Sequence, residues 1–379
     1  MTSLVRTRMA LLGAGLVILA VIFLAPIERA FEAIEFASNI ASGTELLKRK
    51  VALPARRTIT YEVSGQRYLG DIYIPTGPVR AAAVAVPGVV ADGKDDVRLV
   101  AFAMSLSRAG FLVLAPDIPN IRAFKIGSSD SDYIEAAVKH LASGASGPQK
   151  PIGIFAFSYA AGPALIAAMR PQTQRLVRFV CTAGAYYSVE RAITFLTTGY
   201  YRSEKGDWLR GQPSPYAKWV FLVSNASRLD DPSDRKAIEE IADRKLANNK
   251  ADISNLAKGL HAQGRAVYAL MTNMDPGSVP SLIAALPDSV KAEIAALDLS
   301  TRDLSELHAH LILIHGLDDT LVPYTESIAL AHAARGKAHL FLIKSFGHVE
   351  PQLSSLPDAL KFWQAAYEVL SERDSASAK

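Results

Sequence analysis

A single cysteine, Cys181, is all that the 379-residue chain contains, so no intrachain disulfide forms, and cysteine usage does not choose between a reducing and an oxidising compartment. Cys181 lies in the apolar run VRFVCTAG and reads as a buried strand position. Charge of one sign is scarce too: 41 Lys and Arg against 37 Asp and Glu leave a net +4, with no dense basic run interleaved with aromatics. Nucleic acid is therefore not an expected partner. No grouping of histidines has metal spacing; His308 and His310 are two apart, and His332 and His339 fall among helix and strand positions. The run Gly144 to Gly147 lacks the lysine and the spacing of a phosphate loop. Neither a metal nor a cofactor is expected. There is no internal repeat. Disorder is excluded as the default by 50% apolar and 21% charged residues, and the length suits one large domain with an insertion, or two domains.

Met9 to Ala25 is a run of 17 residues without a charge that follows Arg6 and Arg8 and precedes Pro26, Glu28 and Arg29. It is just long enough to span a bilayer, and no small-residue cleavage site follows it. Residues 1–26 are accordingly expected to form an uncleaved membrane anchor. Arginines before the span and Glu28, Glu32 and Glu35 after it would leave the N-terminus in the cytoplasm and the body outside. Residues 27–56 read as a connecting helical segment that Pro54 ends, and residues 373–379, within SERDSASAK, as a frayed polar tail.

Between these ends the chain alternates. Arg57 to Val63 and Arg67 to Ile74 read as antiparallel strands joined at Ser64-Gly65. Ala81 to Val86, Phe111 to Ala115, Ile152 to Phe157 and Leu176 to Ala183 are apolar enough for buried parallel strands, with helices between them at Val97 to Leu106, Tyr133 to Leu141 and Ala160 to Met169. This spacing predicts an α/β fold with a mostly parallel, doubly wound sheet. From 187 to 307 the alternation is missing, apart from a short strand-like run at Trp219 to Val223. Amphipathic segments such as Asp234 to Asn248 and Val279 to Leu286 replace it and indicate a helical cap insertion. Alternation resumes at 308–372 with strands His310 to His315 and Ala338 to Ile343. The core is thus divided into 57–186 and 308–372.

Ser158 stands where the strand Ile152 to Phe157 runs directly into a helix, a junction that holds a serine on a sharp turn with its hydroxyl exposed. The positions two before and two after must be small, and here they are Ala156 and Ala160. A serine hydroxyl needs a base to take its proton and an acid to orient that base. Two later strands end in loops that supply candidates: Gly316-Leu317-Asp318-Asp319 and Phe346-Gly347-His348.

With these residues the chain, from about Arg57 to Leu370, resembles the alpha/beta-hydrolase superfamily, whose order is serine, acid, histidine. The family's acid loop commonly reads H-G-x-x-D-x-x-V-P, which His315 to Pro323 match, and its histidine follows a glycine, as in Gly347-His348. The resemblance implies a catalytic triad of Ser158, Asp319 and His348, with His315 behind the acid loop. It implies an oxyanion hole built from the main-chain N–H of Tyr159 with that of Val89 or Val90. Two departures stand out: alanines replace the glycines of the elbow, and Pro87-Gly88-Val89-Val90 lacks the usual histidine-glycine pair. The activity implied is hydrolysis of a carboxylic ester through an acyl-enzyme, and the charge-free span beside a capped apolar site suggests that the ester is lipophilic. The same triad serves a thioesterase, peptidase or acyltransferase, and a non-catalytic binding module on this fold is the alternative of another class. Tyr186, Tyr187, Phe195, Tyr200, Tyr201 and Trp208 read as core first and acyl-pocket lining second.

Overall fold

The structure is a computed structural model that describes residues 26–41, 53–144, 150–344, 346–348 and 355–375. The anchor expected at 1–26 lies almost wholly outside the described residues, as do 42–52 of the connecting segment and 376–379 of the tail. Among the described residues no helix is long and apolar enough to cross a membrane.

A helix, α1, occupies residues 26–41. The strands β1 (Ala55–Val63) and β2 (Gln66–Ile74) form a hairpin, so strand begins two residues before the expected boundary at 57. Positive φ at Ser64 and Gly65 closes its two-residue turn with the twist a hairpin requires. There follow β3 (Ala81–Val86), α2 (Val97–Arg108), β4 (Phe111–Pro116), α3 (Pro119–Arg122), α4 (Asp130–Ala142), β5 (Ile152–Phe157), α5 (Ala161–Met169) and β6 (Val177–Ala183). Helix α2 starts where Asp96 accepts from the N–H groups of Arg98 and Leu99, and the chain turns back at Gly110 with φ +88°.

From β6 the chain enters α6 (Val189–Thr198), a hairpin of β7 (Tyr200–Arg202) and β8 (Trp208–Arg210), then α7 (Pro215–Ala226), α8 (Pro232–Ala247), α9 (Ser254–Lys258), α10 (Ala262–Thr272), α11 (Val279–Ala284) and α12 (Asp288–Leu297). The strand-like run Trp219 to Val223 is corrected: it lies inside α7, capped by Ser214 with Pro215 in its first turn. Trp219, Leu222, Val223 and Ala226 repeat at helical spacing and pack with Ile238, Ile241 and Leu270 in a core of their own. The last elements are β9 (His310–Gly316), α13 (Tyr324–Ala333), β10 (Ala338–Ile343) and α14 (Leu356–Asp374).

Eight strands form one sheet in the order β1-β2-β4-β3-β5-β6-β9-β10, with β2 antiparallel to both neighbours and the remaining pairs parallel. Successive residues point to opposite faces, so Val84, Ile154 and Leu313 join α4 and α5 in one core, while Ala83, Phe155 and Ile312 join α1, α2 and α14 in the other. Cys181 is buried in the second, where burial pushes its thiol pKa up to about 12. The chain leaves β3 for β4 on one side and then returns to place β5 on the other. That reversal opens a crevice at the carboxyl ends of β3 and β5, where open α/β sheets bind ligands.

The tail expected at 373–379 is corrected at its start only, since 376–379 lie outside the described residues. Helix α14 continues to Asp374, and Arg373 is buried, donating to Ala109 O at 2.6 Å and pairing with Glu32 of α1 and with Asp374. Helix α1 is fixed by the same network, with Arg29 3.1 Å from Asp374 and Trp363 Nε1 donating to Ala30 O at 3.0 Å.

Candidate active site

Ser158 sits at the end of β5 with φ +55°, a backbone conformation that is uncommon for a side chain other than glycine or asparagine. The strand-to-helix turn is therefore sharp, as the sequence predicted, and the strain is held by the buried elements on either side. Ala156 and Ala160 are both buried in the sheet–helix core, so each methyl has its place. The Tyr159 side chain turns under the elbow, its hydroxyl 2.8 Å from both Gly127 O and an Asp130 carboxylate oxygen.

Asp319 and His348 arrive from the ends of β9 and β10. Asp319 is buried, and Oδ1 accepts from the N–H groups of Leu321 at 2.7 Å and Val322 at 2.9 Å. Its Oδ2 lies 2.6 Å from His348 Nδ1 and 3.3 Å from His315 Nε2. Burial by itself would raise the Asp319 pKa, but the bonds from His315 and His348 outweigh it and hold the carboxyl well below its ordinary value. Asp318, the other acid of the loop, is exposed. His315 is fully buried behind the loop, with Nδ1 2.6 Å from Ser327 Oγ and Nε2 2.9 Å from Val322 O.

His348 and Ser158 line one cavity of about 730 Å³, together with Pro87, Gly88, Val89, Val90 and Tyr159. The Nε2 atom of His348 is buried and has no hydrogen-bond partner among the described residues; Ser158 is not bonded to it. Since a carboxylate only accepts, Nδ1–H is the donor to Asp319, which leaves Nε2 as the ring nitrogen available to a general base. The rest of the wall is mostly apolar, from Phe102, Phe157, Val189, Leu196, Val220, Phe221 and Ile294 among others. Of the six aromatics weighed from the sequence, only Tyr186 lines it. Phe195, Tyr200, Tyr201 and Trp208 stack among themselves around the β7–β8 hairpin. Tyr216 of α7 donates to Val89 O at 3.2 Å, tying the cap to the loop after β3.

Three glycines shape the site: Gly88 and Gly316 stand in motifs named from the sequence, but the contacts that require glycine there are not legible in it, and Gly184 is not singled out by it at all. A Cβ on Gly88 would stand 3.4 Å from Ser158 Cβ, so this loop backs directly onto the serine. A Cβ on Gly184, where φ is +70°, would stand 3.0 Å from His348 Cε1. A Cβ on Gly316 would meet Gly347 O at 2.2 Å, so only glycine lets the acid and histidine loops pack together. The glycine after a strand was the available signal, but its partners are distant in sequence. Elsewhere, Asp231, Asp234 and His261 converge, with Asp234 spent on the N–H groups of His261 and Gly264 at 2.7 Å each.

No family model matches the sequence, and no curated protein does. Solved structures do. A protein from Legionella pneumophila named as a “putative hydrolase” is similar over 91% of this chain and 95% of its own, with a TM-score of 0.51 and 13% identity. Dienelactone hydrolase from Anabaena variabilis is similar over 84% and 97%, with a TM-score of 0.44 and 14% identity. For meta-cleavage product hydrolase from Pseudomonas fluorescens the shares are 83% and 97%, the TM-score 0.44 and the identity 18%. At such identities the likeness is one of fold.

Proposed function

Since the chain has the alpha/beta-hydrolase fold, we propose that it is a serine hydrolase that cleaves a carboxylic ester. Ser158 Oγ attacks the acyl carbon while His348 Nε2 takes its proton. Asp319 keeps the ring oriented and stabilises the imidazolium that forms. The N–H of Tyr159 with that of Val89 or Val90 holds the oxyanion. His348 returns the proton to the departing alcohol, and water, deprotonated in turn by His348, releases the acid and restores Ser158.

The observation that carries this reading is a left-handed serine on a strand-to-helix turn, sharing a cavity with a histidine whose other nitrogen is bound to a buried carboxylate. The apolar wall supports an acyl chain as the group bound. Purified full-length chain assayed on p-nitrophenyl esters of increasing acyl length tests it. Ser158→Ala should lower the rate by at least about 10³-fold with an unchanged circular dichroism spectrum, and retention of full activity by the variant would defeat the proposal.

A further inference from the structure

Helix α1 has two apolar faces. Ala33, Phe36 and Ala37 turn inward and are buried against the sheet. Ile27, Phe31 and Ile34, spaced four and three apart on the other side, are 53%, 68% and 51% exposed. Of the charges between them, Arg29 pairs with Asp374 and Glu32 lies 3.0 Å from Arg80, while Glu28 is exposed beside Ile27. Helix α14 extends the outer face. Leu356 and Leu360, 84% and 52% exposed, precede Trp363 by seven and three residues, and Trp363 bonds the Ala30 carbonyl of α1. A run of apolar side chains on a surface helix marks a contact with a protein or a membrane. The sequence decides for the membrane, because the 17 charge-free residues Met9 to Ala25 end one residue before α1 begins at Pro26.

The other end of this helix belongs to the cavity. Asn39 and Ile40 line it beside Val97, which stands 78% exposed at the start of α2. Phe31 and Ile40 are nine residues apart, roughly 13 Å along a helix.

We propose that the outer face of α1, continued by the first turns of α14, rests in the surface of a lipid bilayer, and that the substrate is an acyl lipid entering from that bilayer past Ile40 and Val97. The identity of the substrate rests on the serine-hydrolase reading; the docking of α1 does not. The helix buries Ile27, Phe31 and Ile34 in the headgroup and acyl boundary, as amphipathic interfacial helices do. An ester held in the same leaflet then reaches Ser158 without crossing water.

Full-length chain in phosphatidylcholine vesicles containing doxyl-labelled lipid provides the test. A single bimane fluorophore is placed at Phe31→Cys, at Leu360→Cys, or at Asp132→Cys on α4, which packs on the opposite sheet face. Cys181 is buried with its thiol pKa raised and stays unlabelled. Quenching at 31 and 360 at least twice that at 132 is expected, and equal quenching at all three overturns the docking. In the same vesicles, Phe31→Asp with Ile34→Asp should lower hydrolysis of vesicle-borne p-nitrophenyl palmitate at least tenfold and leave water-soluble p-nitrophenyl acetate unaffected. Undiminished palmitate turnover overturns the entry route. A wild-type chain that cleaves neither ester refutes the hydrolase reading alone, since the quenching still decides the docking.

Discussion

With His348 Nδ1 committed to Asp319, the ring position left for the reaction is Nε2, on a residue that lines the cavity beside Ser158. Asp319 maintains the arrangement because four donors fix its two oxygens. Asp319→Asn should therefore lower kcat by on the order of 10³–10⁴-fold with little change in KM, checked by steady-state kinetics. It should also alter acid stability. The folded carboxyl pKa is depressed, so its contribution is fully present above the unfolded value of about 4 and is lost as pH falls through the folded value. Urea unfolding between roughly pH 6 and pH 3 should show a shallower decline for Asp319→Asn than for the wild type. A parallel decline would mean that this carboxylate is not the one held by the histidines. At this scale the sequence was informative about Ser158, Asp319 and His348, since each follows an apolar strand in a short motif. It was silent on Gly88 and Gly184, whose roles depend on what lies across the sheet.

Among the elements, strands were easier to read than the helices of the cap. A central parallel strand is apolar on both faces and keeps one pattern throughout, so β3 and β5 fall at their expected residues, and the apolar run of the edge strand β10 does too. Trp219 to Val223 misled because a short apolar run has no resolvable period; the cap at Ser214 and the burial of Leu222 and Ala226 make it helix. The β7–β8 hairpin has three residues a side and rests on aromatic and cation–π contacts such as Arg202 over Trp208, which no strand pattern reveals. The turn after β6 carries the prediction at this scale. Gly184→Ala forces a Cβ into a left-handed position 3.0 Å from the His348 ring. The backbone strain alone costs about 1–3 kcal/mol. A drop in kcat of tenfold or more, with the melting temperature lowered but the transition still cooperative, is expected from stopped-flow kinetics and calorimetry. An unchanged kcat would show that the turn after β6 does not position the histidine.

For the molecule as a whole, helices α1 and α14, the first and last among the described residues, are joined. Arg373 is buried in α14 and pairs with Glu32 of α1, a contact across 341 residues that local composition cannot disclose, which is why SERD reads as a tail. Arg373→Met keeps much of the stem and removes the charge. It should destabilise the chain by about 1–3 kcal/mol and speed proteolysis between α1 and β1, measured by denaturant titration and limited trypsin digestion; wild-type values for both would place α1 outside the cooperative unit. The sheet order that joins these elements also brings the ends of β3, β5, β9 and β10 around one cavity, from segments as far apart as residues 88 and 348. The central claim is that this convergence makes Ser158 a nucleophile. Intact-chain mass spectrometry after brief exposure to a fluorophosphonate, followed by peptide mapping, tests it most directly. One adduct is predicted, on the peptide that contains Ser158 and absent from Ser158→Ala; a chain left unmodified, or modified equally in the variant, would contradict the account.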